Sequence, residues 1–152
     1  MNYWLMKTEP TTFGIEHLKK TPNQTTFWDG VRNYQARNML RDQMKKGDLA
    51  FFYHSNCSDL GVVAIIEVVS NGEIDPTQFN STSPYYDIKS FPDKPRWYGV
   101  KVKLKKVLPD VITLKQLKMN PQLKSMIILR PGNRLSVTPV SAKEWQAVLK
   151  MV

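Results

Sequence analysis

Two neighbouring apolar segments place the strongest constraint on how this chain folds. Leu49 to His54 and Gly61 to Val69 are rich in aromatic and β-branched residues, and the turn Lys46-Gly47-Asp48 precedes the first of them. Short segments of this kind, bounded by turn residues, are typical of strands buried inside a sheet. We therefore expect both to be central strands, and the most buried strands of the protein.

Further strands and short helices are predicted on either side of this pair. Apolar residues at helical spacing predict a helix from Tyr34 to Met44, and Ser141 with Glu144 forms a capping box that opens a C-terminal helix. Another short helix is expected from Ile15 to Lys20, and three strands at Tyr3 to Met6, Trp97 to Leu104 and Arg134 to Val140. Strands mixed with helices in this way predict an α+β fold, and 152 residues suit one domain, spanning 1–152.

The segment from Asn71 to Pro95 interrupts the pattern. It contains several prolines, serines and asparagines and little periodicity, so it is expected to be a long loop with a helical turn near Phe79. Long loops in compact domains often carry function.

The charge of the chain favours a polyanionic partner. Its formal net charge is +9, and the predicted strand at Trp97 to Leu104 alternates Val100, Val102 and Leu104 with lysines at 101, 103 and 105. Such a strand buries one face and presents a basic face to water. Nucleic acid is the natural candidate partner, although many basic proteins simply carry solvated lysines.

Several function classes are disfavoured. No apolar run is long enough to cross a bilayer, the N-terminus lacks the pattern of a signal peptide, and Cys57 is the only cysteine, so a cytoplasmic protein is expected. His17, His54 and Cys57 do not form a zinc-ligand spacing, and there is no glycine-rich phosphate loop. We expect no metal and no cofactor.

Aromatic and hydrogen-bonding residues are interleaved in a way that suits a pocket for a nucleic-acid base. Aromatic rings stack on a base, amides and hydroxyls bond to its edge, and arginine neutralises flanking phosphate. Along Leu49 to Asn56 the strand alternation places Phe51 and Tyr53 on one face and Phe52 and His54 on the other; one face is expected in the core, the other towards the pocket. His54 and Ser55 point apart and do not form a catalytic dyad, and a structural role at the sheet edge is the favoured alternative for His54.

Five segments in order resemble the EVE domain family. They are Tyr3 to Pro10 (YWLMKTEP), Trp28 to Asn38 (WDGVRNYQARN), Gly47-Asp48 followed by Phe52 to Asn56 (FYHSN), Trp97, and Arg134 to Pro139 (RLSVTP). The resemblance spans nearly the whole chain. It implies a PUA-like fold, a five- or six-stranded pseudobarrel flanked by short helices, and a reader that holds a modified base, either a modified cytosine or a methylated adenine, in DNA or RNA.

The resemblance also implies a set of site residues. Trp28 and Trp97 would supply stacking faces, Ser55 and Asn56 edge hydrogen bonds, and Arg32 and Arg37 phosphate contacts. A core position remains the alternative for Trp28, whereas Trp4 and Trp145 are assigned to the core. The implied pocket comprises Trp28, Asn33, Tyr34, Arg37, His54, Ser55, Asn56 and Trp97, with Lys7 and Glu9 at its rim and Arg32, Lys101 and Lys103 as phosphate contacts.

Two other functions stay open beside the non-enzymatic reader. PUA-like relatives of the ASCH type include small amidohydrolases that act on modified nucleosides, and Lys7 with Glu9 are the residues that would serve such a reaction. An RNA-binding module without base preference, using Lys101, Lys103 and Lys105, is the second alternative. A chain of this length has no room for an effector domain, so a reader is expected to act by binding or with an effector protein supplied in trans. A monomer is also expected.

Overall fold

The fold is mixed α and β, as expected, and a computed structural model describes all residues from 1 to 152. Seven strands form its frame: β1 (Tyr3–Thr8), β2 (Thr25–Trp28), β3 (Leu49–His54), β4 (Gly61–Val68), β5 (Glu73–Ile74), β6 (Tyr98–Thr113) and β7 (Val137–Val140). The helices are α1 (Pro10–Phe13), α2 (Ile15–Lys20), α3 (Tyr34–Asn38), α4 (Leu114–Met119) and α5 (Ala142–Leu149), and a π-helical turn, Met39–Gln43, extends α3. Short 3-10 turns occupy Pro22–Gln24, Pro76–Phe79, Pro121–Leu123 and Ile127–Leu129.

The strands pair in the order β2-β6-β4-β3-β1-β7, and β5 pairs separately with β6. Strand β1 runs parallel to β3, while the other neighbours are antiparallel. The pairing ends at β2 and β7 without closing the sheet, and it uses seven strands where five or six were expected. The two additional strands, β2 and β5, have only four and two residues, too few for an alternating sequence pattern to be visible.

Both faces of the central strands are buried. Phe52 packs in a cluster with Trp4, Met6 and Trp28 on one side of the sheet, whereas Phe51 packs with Trp145 in a second cluster on the other side. Helices and loops thus cover the middle of β3 on both sides, and of the face that was expected to reach a pocket only His54, at the end of the strand, lines a cavity. The placement of Trp4 and Trp145 in the core is confirmed, at 2% exposure each.

Strand β6 links the core to the surface. Val100 and Val102 are fully buried and Lys101, Lys103 and Lys105 are exposed, as the alternating sequence predicts. The strand continues to Thr113, nine residues beyond its predicted end at Leu104, with two register shifts against β4. No helix in the structure is both long enough and apolar enough to span a bilayer.

Candidate functional site

The turn after β2 shapes the site. Strand β2 ends at Trp28, and α3 begins at Tyr34 with Asn33 as its N-cap, whose Oδ1 accepts a hydrogen bond from Ala36 N at 3.0 Å. Between them, Gly30 has a φ of +79°, a conformation that residues with a side chain rarely adopt. The ring of Tyr85 lies directly on this glycine, and a Cβ atom at residue 30 would come within 2.7 Å of it. Glycine at this position thus allows the long loop to close onto the turn.

The carboxylate of Asp75 ties the turn to the long loop. It is fully buried and accepts hydrogen bonds from Gly30 N at 2.9 Å, from Arg32 Nη1 at 3.1 Å, and from the backbone N and hydroxyl of Thr77. Burial alone would raise the pKa of Asp75, but these hydrogen bonds outweigh it and hold the pKa below its usual value. Asp75 therefore stays charged and keeps both segments in place.

Arg32 completes this connection. Its guanidinium donates to Val31 O, Asp75 Oδ2, Thr77 Oγ1 and twice to Tyr85 O, at 2.7 to 3.1 Å. These five hydrogen bonds use all the N–H donors of an arginine side chain. Arg32 has no donor left for a phosphate, so the structure gives it a positioning role in place of the expected phosphate contact.

A cavity of about 480 Å³, here called the Trp28 cavity, opens beside this turn. Its volume lies within the usual range for small-molecule sites. Strand β1 and α1 form one wall, β2 and the following turn form another, and Tyr85 and the chain before β7 complete it. The lining residues are Lys7, Thr8, Thr12, Phe13, Thr26, Phe27, Trp28, Asp29, Gly30, Val31, Arg32, Asn33, Tyr85, Arg134 and Ser136.

The cavity presents aromatic surface together with unpaired polar groups. Trp28 is 7% exposed and meets Phe52 edge to face at 5.7 Å, so it belongs to the core and lines the cavity at the same time. No other residue donates a hydrogen bond to the Asp29 carboxylate, and its partial burial, and then the charge of Asp75, raise its pKa. Lys7 and Arg134 add positive charge to the wall. Such a cavity can hold a flat polar ring and bond to its edge.

Tyr34, Arg37 and Trp97 form a separate stack outside this cavity. The rings of Tyr34 and Trp97 lie 4.7 Å apart, with the guanidinium of Arg37 4.9 Å from Tyr34 and that of Arg32 5.4 Å from Trp97. Trp97 Nε1 donates to Asp87 Oδ2 at 2.7 Å, and Arg37 donates to Arg96 O at 2.6 Å. The faces of Trp97 are thus already covered, and Tyr34, half exposed, is the member of the stack open to solvent.

His54 is held away from the Trp28 cavity as well. Its Nε2 accepts a hydrogen bond from Ile15 N, the first residue of α2, at 3.1 Å, and burial lowers its pKa. With Cys57 it lines another cavity, of about 360 Å³. Neutral His54 thus fixes α2 to the end of β3, the structural alternative considered for it above.

Of the eight predicted pocket residues, the structure brings Trp28 and Asn33 into the Trp28 cavity, together with Lys7 from the predicted rim. Ser55 and Asn56 follow β3 outside it, and exposed Glu9 is the N-cap of α1, so it does not share the cavity with Lys7. Glu9 was expected to act together with Lys7, but β1 ends at Thr8 and the chain turns into α1, so the two side chains are separated. Lys101 and Lys103 lie exposed on β6, the former 3.9 Å from Glu73.

Among the cavity residues missing from the predicted site are Phe27, Asp29, Tyr85 and Arg134. Asp29 and Arg134 stand within two of the motifs quoted above, which was a usable signal. Tyr85 lies in the long loop, and only the fold brings it onto Gly30. No group of three or more histidine, cysteine or acidic residues is arranged to hold a metal ion.

Comparison with known families decides the relationship. The EVE domain family model matches residues 2–151, almost the whole chain. The chain belongs to the EVE domain family. This EVE domain is 43% identical to thymocyte nuclear protein 1 of Mus musculus over an alignment of 167 positions. The alignment covers 99% of this chain and 73% of that protein. The Homo sapiens protein is 41% identical, with the same coverage.

Solved structures agree with this assignment. The human THYN1 protein, or thymocyte nuclear protein 1, in complex with DNA containing 5-methylcytosine superimposes on this EVE domain with a TM-score of 0.93 and 41% identity, covering 99% of this chain and 97% of that one. A protein from Leishmania major also gives a TM-score of 0.93, with 43% identity and coverage of 99% and 94%. An ASCH protein from Zymomonas mobilis, 12% identical with a TM-score of 0.52 and 99% coverage of both chains, shares the fold alone.

Proposed function

We propose that this EVE domain is a DNA-binding reader that holds a modified cytosine, most simply 5-methylcytosine, in the Trp28 cavity. The observation that carries the proposal is the complex of a 41% identical protein with DNA containing 5-methylcytosine, a match that extends over 99% of this chain. The charge of +9 supports an anionic partner.

The proposed contacts follow from the chemistry of the cavity walls. Phe27, Trp28 and Tyr85 supply aromatic surface for the base and its methyl group. Aromatic stacking contributes about 1 to 3 kcal/mol per base, whereas a buried methyl adds only about 0.8 kcal/mol. A reader of methylation therefore needs close shape complementarity around the methyl group as well as stacking.

The edge of the base would be recognised by Asp29 and Asn33. A carboxylate accepts a hydrogen bond from the amino group of cytosine, and Asp29 has no competing side-chain partner. The Oδ1 atom of Asn33 is used in the helix cap, which leaves its amide N–H groups free to donate. Ser55 and Asn56 are less suitable for this task, since they lie outside the cavity.

Binding of the flanking backbone is assigned to exposed cations. Lys101 and Lys103 on β6 remain the proposed phosphate contacts, and Arg134 at the cavity joins them. A base reaches the cavity from a single strand or after extrusion from a duplex. We also predict that the protein is a monomer in the cytoplasm and that an effector protein can act with it in trans.

The test compares two tyrosines. Tyr85→Ala removes a ring from the Trp28 cavity and is expected to lower affinity for a 5-methylcytosine oligonucleotide about tenfold or more, since one stacking contact is lost. Tyr34→Ala removes a ring from the outer stack and serves as the matched control. Fluorescence anisotropy would measure both variants with single-stranded and duplex DNA and RNA carrying cytosine, 5-methylcytosine, adenine or N6-methyladenine.

The pattern of losses separates the candidate sites. Loss of the 5-methylcytosine preference in Tyr85→Ala alone supports the Trp28 cavity, while loss in Tyr34→Ala alone moves the base to the outer stack. Equal, salt-sensitive binding of all oligonucleotides by the native protein would contradict the reader function and favour the unspecific nucleic-acid module.

An amidohydrolase of modified nucleosides is the second candidate, because Lys7 lies in the cavity. The absence of Glu9 from the cavity weakens this candidate, as the lysine has no carboxylate partner from the same motif. Release of acetate from N4-acetylcytidine by the native protein, lost in Lys7→Ala, would establish it; no turnover at all would remove it.

A further inference from the structure

The loop that follows Tyr85 carries three exposed apolar side chains, here called the loop wedge. Tyr86, Ile88 and Phe91 are 42%, 72% and 56% exposed. Single exposed apolar residues are ordinary, whereas three within six positions of one loop indicate a candidate interaction surface. No other part of the chain has three large exposed apolar residues this close in sequence.

The loop wedge is held in place by its neighbours. Asp87 N donates to Gln78 O at 3.0 Å, and its carboxylate accepts from Trp97 Nε1 at 2.7 Å. Ser90 Oγ donates to Oε1 of Gln78, a residue that is fully buried. Anchored residues thus alternate with exposed ones, and the fold keeps the apolar side chains directed outward. Their exposure is a property of the folded loop.

The position and charge of the loop wedge identify its partner. Tyr85 lines the Trp28 cavity, so the loop wedge begins one residue from the cavity wall. Exposed Lys89 lies between Ile88 and Phe91, and exposed Lys94 follows Phe91. Asp93 is the exposed carboxylate of the same segment. Apolar side chains flanked by lysines suit a DNA duplex, where the former enter the base stack and the latter meet phosphates.

We propose that the loop wedge opens duplex DNA by filling the gap left when the modified base moves into the Trp28 cavity. This inference rests on the proposed function and adds a requirement for duplex substrates. Proteins that bend or open DNA insert apolar side chains between base steps, and base extrusion costs unstacking and unpairing energy. A single strand has no paired stack to open, so the loop wedge is dispensable for it.

The experiment uses a Tyr86→Ser, Ile88→Ser, Phe91→Ser triple variant of the full chain. Affinity is measured for one 5-methylcytosine sequence as a single strand, as a paired duplex, and as a duplex with an abasic site opposite the modified base. We expect about a tenfold loss on the paired duplex, a change below about twofold on the single strand, and a partial recovery opposite the abasic site. Retained single-strand binding shows that the variant is folded.

Two further measurements sharpen the test. Met119→Ser removes an exposed apolar side chain, 74% exposed on α4, and is the control expected to bind all three DNAs normally. A 2-aminopurine placed beside the modified base in the duplex is expected to brighten with native protein and not with the triple variant, because its fluorescence rises on unstacking. The single variant Ile88→Ser is expected to give an intermediate loss on the duplex.

An unchanged duplex affinity, or an equal loss on single strand and duplex, would overturn the loop wedge while leaving the reader function intact. Failure of the native protein to bind the 5-methylcytosine single strand would instead overturn the proposed function, so the two failures are distinguishable.

Discussion

At the scale of single residues, Asp75 decides how the Trp28 cavity is built. The residue has no contact role in the proposed site, yet it joins the turn that carries Trp28 and Asn33 to the loop that carries Tyr85. Its carboxylate is fully buried and receives four hydrogen bonds, one from the charged side chain of Arg32. Removing one member of such a buried pair leaves the other without a partner, which is costly.

Asp75→Asn is therefore expected to lower the free energy of unfolding at pH 7 by about 3 kcal/mol. Because the folded state holds the pKa of Asp75 below its usual value, the stabilisation is present above the unfolded pKa of about 3.9 and is lost as pH falls through the folded pKa. Urea unfolding at pH 7 and pH 3 measures this, with exposed Asp93→Asn as control. If Asp75→Asn lowers the free energy of unfolding by the same amount at pH 7 and at pH 3, the charge of Asp75 is not the source of the stabilisation.

At the scale of elements, the sequence predicted the strands and helices whose own residues show a periodic apolar pattern or a capping motif. Strands β3 and β4, the helix that starts at Tyr34 and the capping box at Ser141 are confirmed, and so is the helical turn near Phe79. The bounds of β6 and β7 were less accurate: β7 begins at Val137, three residues after the predicted start at Arg134. Strands β2 and β5 were not predicted, since edge strands of two to four residues form through their partner's hydrogen bonds.

The pairing of β2 with β6 gives the element-scale prediction. Gly99 lies where a Cβ atom would be 2.1 Å from the carbonyl oxygen of Trp28, so Gly99→Ala must push β2 away. We expect a loss of about 3 kcal/mol in unfolding free energy and a weaker 5-methylcytosine affinity, since Trp28 moves with β2.

Val102→Ala is the matched control for this change. It removes two methyl groups from a fully buried side chain on the same strand and costs a comparable amount of stability. It does not displace β2 from its pairing with β6. Chemical unfolding would compare the stability of the two variants, and fluorescence anisotropy would compare their affinity for 5-methylcytosine DNA. Both measurements are made well below the melting temperature, so that both variants are folded. Equal base affinity in the two variants would show that the β2 position does not set the site.

At the scale of the whole molecule, the fold divides the predicted site residues between different places. Trp28, Asn33 and Lys7 meet in the cavity, whereas His54, Tyr34 and Trp97 do not, although all belong to the same quoted motifs. Motifs identify residues that matter to the family fold, but they do not distinguish walls of a cavity from the supports behind it. His54 illustrates a support, since its Nε2 is used by Ile15 N. Arg32 lines the cavity, but internal hydrogen bonds occupy all its N–H donors, so it serves mainly as a support as well. Only the three-dimensional contacts separate the two roles.

The charge distribution of the whole molecule makes the last prediction. Lys101 and Lys103 lie on β6 one strand from Trp28, whereas Lys115 and Lys118 lie exposed on α4. Replacing either pair by glutamine lowers the net charge equally, so a purely global attraction would respond equally. If the first pair contacts phosphates, only its loss reduces the dependence of affinity on salt, by about 0.9 in logarithmic slope for each contact.

Binding of one 5-methylcytosine duplex across a salt series would therefore give a slope lower in magnitude by about 2 for Lys101→Gln, Lys103→Gln and an unchanged slope for Lys115→Gln, Lys118→Gln. The ratio of affinities for methylated and unmodified duplexes should stay constant in both, because phosphate contacts carry no information about the base. An equal slope change in both double variants would mean that the charge acts as a diffuse field. A changed methylation ratio would place the lysines in base recognition instead.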